Sequence, residues 1–486
     1  MSLKLESKRS LRCPLRIRRI LFLLLLGGCV RIPESEQAIP ESSSGISATV
    51  QDAIRSGGFE PGEWVQQKWW EQFDEPVLTA LIDRGLRSSP NLLLAQERLK
   101  AAAQVALQKK AALYPELDLD TLDIWTHLSK EGFFRAFSPT FPAVVNDFYI
   151  GLSFSYEFDF WGKNRDLFHS ALGEVAASAA ETMQAELMMA TSIAYTYFEL
   201  QFLLRKKQLL EERKSNRESV VQISVQRHQG ALDTAFEPLA AQADTLDLEA
   251  ELKELHSDID GHIHKLKALA GMQQDENLDI RQTEPKPLRL GLPETLGLDL
   301  IARRPDLIAL KRRLEAAAKQ VDAAKTDFYP NINLKAFLGM ESVFWSKLFR
   351  SDNWDLIALP AIHLPIFTAG RIRAQLYEKL ADFNEAVYSY NQLILEAAQE
   401  IADSLTKISA LLQEIEIRKR SLSVALSQEA IVLRRYVGAL ATRSDSLTAQ
   451  DTVLQKQLIL ATVEYGTQLA EIELVRQMGG GFHDNE

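Results

Sequence analysis

This sequence lacks most of what covalent chemistry needs. Two cysteines among 486 residues supply neither a disulfide framework nor a Cys-rich zinc module. Prolines (17) and glycines (23) are sparse for this length, so their positions carry information. Beyond the extreme N-terminus no run approaches the roughly 20 apolar residues of a spanning helix, which excludes a polytopic helical membrane protein. Neither a nucleophile elbow nor an HExxH string occurs. Gly479-Gly480-Gly481 lacks the strand and helix of a phosphate loop and reads as a frayed tail. His256, His262 and His264 miss the paired spacing of a zinc site and lie among Lys, Asp and Glu, so a solvated surface is predicted. The residues therefore argue for no enzyme, no metal and no cofactor.

What is present begins with an export signal. Lys4, Lys8, Arg9, Arg12, Arg16, Arg18 and Arg19 face one acid, Glu6, and an apolar run at 20–26 follows. A basic region, a short apolar core and small residues describe a secretory signal. Leu26-Gly27-Gly28-Cys29 also resembles the bacterial lipobox, in which the cysteine is diacylated and becomes the first residue. Cleavage before Cys29 leaves 48 basic against 65 acidic side chains, a net charge of −17. That balance argues against nucleic acid, which requires a basic patch. Two acyl chains would give stable anchorage to membrane lipid.

The remainder is a duplication. Ser89-Pro90-Asn91-Leu92, then Arg98-Leu99-Lys100-Ala101-Ala102-Ala103 and Tyr114-Pro115, recur 215 positions later as Arg304-Pro305-Asp306-Leu307, Arg313-Leu314-Glu315-Ala316-Ala317-Ala318 and Tyr329-Pro330. Gly162-Lys163-Asn164-Arg165 and Arg227-His228-Gln229-Gly230-Ala231-Leu232 recur at 208, as Gly370-Arg371-Ile372-Arg373 and Arg435-Tyr436-Val437-Gly438-Ala439-Leu440. The offset falls by seven between Tyr329 and Gly370, which locates a shorter loop in the second copy. Repeats of this length mean one large unit used twice.

Each copy has the same internal order. A helical region (about 77–112, and 294–327) ends at the Tyr-Pro pair, where proline removes a donor. Two strands follow in each, at about 116–126 and 147–160, then 331–345 and 354–367. Phe148, Ile150, Leu152, Phe154, Tyr156 and Phe158 alternate with Tyr149, Gly151, Ser153, Ser155 and Glu157, the period-two pattern of a strand with one apolar face. Such segments suit a soluble sheet, and they are also about long enough to cross a bilayer when tilted. No proline lies between Pro142 and Pro238, or after Pro365, and helix formers fill 163–228 and 371–436. Sixty-six helical residues would span about 99 Å. The Gly-Ala-Leu motifs at 230 and 438 break these helices, and second helices return at about 236–270 and 444–476. A rod of that length with strands at one end has a reason to exist if it stands on a membrane.

These residues are similar to the TolC/OprM-type outer membrane efflux family, in its lipoprotein, NodT-type branch. The resemblance rests on Trp69-Trp70-Glu71-Gln72-Phe73, Arg303-Arg304-Pro305-Asp306, Phe328-Tyr329-Pro330, Leu364-Pro365-Ile366-Phe367 with Gly370-Arg371, and the turn at 435–440 leading to Leu447-x-Ala449-Gln450. It implies a mainly α chain with a membrane β-barrel portion. Three chains would form a twelve-stranded barrel continued by a twelve-helix periplasmic α-barrel. It further implies an exit duct for small amphiphilic compounds, working as a homotrimer with a periplasmic adaptor and an inner-membrane pump. The corresponding organisation is a signal at 1–28, a lipidated linker at 29–61, repeats at 62–271 and 294–476, an equatorial link at 272–293, and a tail at 477–486. A duct for ATP-driven protein secretion is the nearest alternative; a coiled-coil envelope spacer is a weaker one, having no use for amphipathic strands.

The resemblance also nominates gate residues. Asp403 lies about 200° around the helix from both Ile401 and Leu405, opposite their apolar seam. The family pattern has an acid here near the periplasmic tip. Tyr195 occupies the equivalent position in the first copy, and Lys407 stands one place out of register for the expected basic neighbour.

Overall fold

The computed structural model describes residues 64–138, 140–283 and 303–481, together with 32, 37–41, 45, 47–55, 59–62 and 291–292. The signal segment and Cys29 lie outside the described residues. Along the chain come α1 (Ser47–Arg55), β1 (Glu60–Pro61), a 3-10 turn (Trp69–Phe73), α2 (Pro76–Ser88), α3 (Pro90–Ala111), β2 (Glu116–His127), the short α4 (Phe133–Phe137), β3 (Val144–Phe158), α5 (Lys163–Gln229) and α6 (Phe236–Leu269). The second half gives β4 (Gly291–Leu292), α7 (Pro305–Thr326), β5 (Asn331–Ser342), β6 (Trp354–His363), α8 (Arg371–Val437) and α9 (Arg443–Gln477). The duplication read from the sequence is thus a duplication of elements.

Local chemistry sets the boundaries. Pro76, Pro90 and Pro305 each open a helix, where a missing N–H costs nothing. α5 and α8 each run 67 residues, about 100 Å at 1.5 Å per residue. Both end alike. Leu232 donates to the Arg227 carbonyl and Ala231 to that of His228; Leu440 and Ala439 repeat the pattern with Arg435 and Tyr436. This is the Schellman arrangement, and it puts Ala231 and Ala439 at φ 56, a left-handed conformation glycine would adopt more readily. Thr442 then caps α9 in a capping box with Asp445.

The strands depart from expectation at their ends. β5 stops at Ser342, three residues early, because Trp345–Lys347 tighten into a 3-10 turn. β6 stops at His363, just before Leu364-Pro365, where proline cannot extend the ladder. β3 begins at Val144, ahead of the expected 147. The helix at Phe133–Phe137 has no counterpart in the sequence expectation.

The chain divides into two compact units. One comprises Leu107–Ser170 and Ala317–Asn384. It holds a four-stranded antiparallel sheet of order β2-β3-β5-β6. The other comprises Ala38–Ala106, Ala171–Ala316 and Glu385–Glu486. Its core gathers Trp69, Trp70 and Phe73 against Tyr197 and Phe198 of α5, Leu255 and Leu266 of α6, Tyr390, Ile394 and Ile401 of α8, and Leu474 and Val475 of α9. Edge-to-face rings join Trp69 to Trp70 and Phe73 (5.7 and 6.3 Å), and Phe73 meets Phe198 at 4.6 Å. In this unit β1 pairs in parallel with β4, tying the N-terminal segment to the link between the repeats.

Candidate functional site

The sheet is amphipathic on register, not merely on composition. Leu119 pairs with Leu152, Leu152 with Leu338 and Leu338 with Leu356, so one row of leucines crosses all four strands. Leu117, Phe154, Ala336 and Ala358 form the next row on that face, and Tyr156, Leu334 and Pro360 the next. The row leucines are 42–68% exposed in the single chain, an apolar surface that water would not tolerate as a final state.

Aromatic residues bound this apolar band. At one end Phe148 meets Trp345 at 5.4 Å. At the other Phe158 packs on Tyr156 and Phe160 (4.8 and 5.8 Å), and Trp161 stacks on Tyr329 at 4.8 Å. Ten residues separate Phe148 from Phe158, about 33 Å of strand, or about 25 Å of height at a ~40° tilt. That matches the apolar band of a membrane barrel between its aromatic girdles. Among the described residues no helix is long and apolar enough to cross a membrane.

The opposite face is acidic. Glu116, Asp118 and Asp120 of β2, Asp147 and Glu157 of β3, Glu341 of β5 and Asp355 of β6 share it, with Lys335 as the basic residue among them. The Tyr149 hydroxyl donates to Asp147 (2.7 Å) and lies 3.1 Å from Glu341. At the centre Gly151 opposes Gly339, and Phe337 lies across the pair: a Cβ built on Gly151 would sit 2.5 Å from the Gly339 Cα and 2.7 Å from the ring. Glycine is required there by space. Among the described residues of one chain, β2 and β6 leave both edges of the sheet unpaired.

The helical unit holds a second set of charged contacts, reached by no sequence expectation. Asp451 of α9, 7% exposed, accepts from Arg213 Nε at 2.9 Å and from Arg217 Nη2 at 3.0 Å, both on α5. Arg217 also reaches Asp244 of α6 at 3.3 Å. Asp451 thereby ties α9 to α5, and Arg217 ties α5 to α6 through Asp244. The legible signal was two arginines four apart on α5, one helical turn. Arg304 is a buried cation with its own partners: Asp306 holds it bidentately (2.7 and 3.1 Å), Glu400 accepts at 3.0 Å, and the Gln477 carbonyl lies at 3.4 Å. Burial alone would lower its pKa, but Asp306 and Glu400 raise it overall.

The nominated gate residues are placed differently from expectation. Asp403 lies 34 positions before the end of α8 at Val437, about 51 Å short of the turn, so it is not near a helix tip. Its neighbours Ile401, Leu405 and Ile408 enter the main core, and its own exposed carboxylate receives only a 3.5 Å contact from Gln399. The reason is length: α8 runs unbroken past this point. Lys407 is exposed and, among the described residues, makes no ion pair with Asp403. Instead the structure brings Lys407 and Tyr195 into the field of Glu473 on α9. Arg476 holds that carboxyl below its usual range through hydrogen bonds at 3.0 and 3.1 Å. Tyr195 is raised, by burial first and by Glu199 and Glu473 second. Of the three histidines, His262 lies 3.3 Å from Glu199, and His256 faces the Leu252 carbonyl.

A duplicated helix–strand–strand–helix chain with this two-faced sheet also has relatives. Residues 81–272 and 296–480 match the outer membrane efflux protein family. This chain belongs to that family. Among its members the multidrug resistance outer membrane protein MdtP of Escherichia coli K12 is 29% identical over 430 residues, covering 86% of this chain and 87% of the relative. MdtQ of Escherichia coli O6:H1, a multidrug resistance outer membrane protein, is 27% identical over 468 residues and covers 95% and 96%. The outer membrane protein VceC of Vibrio cholerae superposes with a TM-score of 0.77 at 33% identity, over 86% of this chain and all of that one. The outer membrane channel CmeC of Campylobacter jejuni, at 21% identity and a TM-score of 0.81, shares the fold over 94% of this chain. As an outer membrane efflux protein, the chain belongs to a family of channels.

Proposed function

We propose that this protein is the outer membrane exit duct of a tripartite efflux pump, passing small amphiphilic compounds from periplasm to exterior. The observation that carries the reading is a four-stranded sheet with a lipid-suited face, an acidic face and two open edges. Open edges do not survive in lipid. Spanning barrels start at about eight strands, so one chain is too few. A homotrimer closes twelve strands around the acidic face, which then lines a water-filled lumen. The multidrug names of MdtP and MdtQ support small molecules as cargo. A periplasmic adaptor and an inner-membrane transporter supply them, and acylation at Cys29 adds a lipid anchor beside the barrel.

Mass measurement of the purified protein in mild detergent, followed by planar-bilayer recording, tests the reading. Three chains and a stable conductance are expected. A stable monomer with full β signal and no conductance overturns it. Mass spectrometry of the mature N-terminus tests the anchor separately, since an unmodified Cys29 would leave the barrel as the sole attachment.

A further inference from the structure

The loop between β5 and β6, residues 343–353, is built unlike a solvent loop. Phe344, Trp345 and Phe349 are 57–65% exposed, while Leu348 at its centre is buried. The loop is nevertheless well fixed. Trp345–Lys347 form a 3-10 turn, Arg350 N–H donates to the Lys347 carbonyl, and Asn353 donates its side-chain amide to that same carbonyl at 2.6 Å. Trp345 links it to the sheet, with its ring against Phe148 on one side and Phe349 at 6.2 Å on the other. Since Phe148 belongs to the apolar face, this aromatic series continues that face upward from the strands.

Two cations ride on the same loop in a strongly acidic chain. Lys347 places its ammonium 4.6 Å from the centre of the Phe344 ring. Arg350 is exposed two residues beyond buried Leu348. Neither makes an ion pair among the described residues, and the one acid of the loop, Asp352, is engaged by Ser351 at 3.4 Å. Exposed aromatics mark the interfacial level of a membrane, and cations just above them meet lipid phosphates.

We infer that residues 343–353 form a binding surface for the phosphorylated headgroups of outer-leaflet lipid, with Phe344, Trp345 and Phe349 seated among the acyl chains and Lys347 and Arg350 on the phosphates. This rests on the exit-duct reading, which puts the loop at the exterior end of the barrel. Two features favour lipid over a protein partner: the aromatic surface is continuous with the lipid-facing strands, and its free charges are opposite in sign to those of an anionic headgroup layer.

Quenching of tryptophan fluorescence by brominated lipid tests it. The full-length protein is reconstituted into phosphatidylcholine vesicles containing equal fractions of brominated phosphatidylglycerol or brominated phosphatidylcholine. Wild type should favour the anionic lipid by about thirty-fold, roughly the worth of two surface cations, and lose that preference in high salt. The double variant Lys347→Gln/Arg350→Gln should show equal quenching by both lipids, and Lys130→Gln, in the neighbouring loop, should behave as wild type. Equal quenching of wild type by the two lipids, or a preference that survives in the double variant, overturns the inference. So does a Lys130→Gln variant that loses as much as the double variant. The oligomer mass and conductance of every variant are recorded alongside, so that failure of the duct itself is seen independently.

Discussion

Replacing Leu152 by arginine tests the assignment of faces most directly. Leu152 sits in the row Leu119–Leu152–Leu338–Leu356, four positions from Phe148 and six from Phe158, near the middle of the apolar band. Arginine at the midplane of a lipid-facing barrel surface costs about 2–4 kcal/mol. Nothing in its row offsets this, because its direct neighbours are leucines. Three copies per assembly would bring the cost to about 6–12 kcal/mol, on the order of a whole domain's stability. Ser153→Arg, one residue along, points to the other face. There its direct neighbour is Asp118, and an opposite-charge cross-strand pair is worth about 0.2–1 kcal/mol. The temperature at which the oligomer dissociates on a denaturing gel, with refolding yield in vesicles, reads both variants. Leu152→Arg should dissociate far earlier or fail to assemble, while Ser153→Arg assembles normally and changes conductance. If Ser153→Arg is the more damaging of the two, the faces have been assigned the wrong way round.

Other expectations follow from the helical unit. Asp451→Ala leaves Arg213 and Arg217 facing each other without their shared carboxylate, and should cost about 3 kcal/mol by urea unfolding, the lower end for a broken buried pair since Arg217 stays partly in water. Ala439→Gly should stabilise by about 1 kcal/mol in the same assay, because it removes a side chain from a left-handed residue. Arg476 depresses the folded-state pKa of Glu473, so that contact contributes stability above the unfolded value of about 4.3 and loses it as pH falls through the lower folded value. Melting of wild type and Glu473→Gln should therefore differ at pH 7 and converge in acid; a gap that persists in acid contradicts the ion pair as its cause. Glu186 runs the other way: burial raises its pKa, its charge is a burden at neutral pH, and Glu186→Gln should melt higher at pH 7.5 than wild type, with the gap closing toward pH 4.

Much of this protein was determined locally, and local determinants are legible. Proline at 76, 90 and 305 opens helices, proline after Leu364 ends a strand, and the absence of proline across 163–228 lets one helix run 67 residues; each depends only on whether a backbone donor exists. The duplication and the alternation in β3 are periodicities, visible without coordinates. Partner choice was not legible. The alternation assigns Leu152 a face, but only the β2-β3-β5-β6 order aligns it with Leu119, Leu338 and Leu356 into a row, and only register reveals that seven acids share the other side. Gly151 and Gly339, 188 positions apart, need one another's absence of a side chain, a requirement set by strand pairing. Asp403 shows the same limit. Its face on α8 follows from helical period, but its distance from the end depends on where the helix stops, and its surroundings depend on which core the helix crosses. Asp451 drew no notice as one acid among many; tertiary packing made it consequential by burying it beside two arginines more than 230 residues away. Sequence fixes what a few consecutive residues can do with their own hydrogen bonds, whereas charge pairing and burial arise between segments, and the fold alone decides which segments meet.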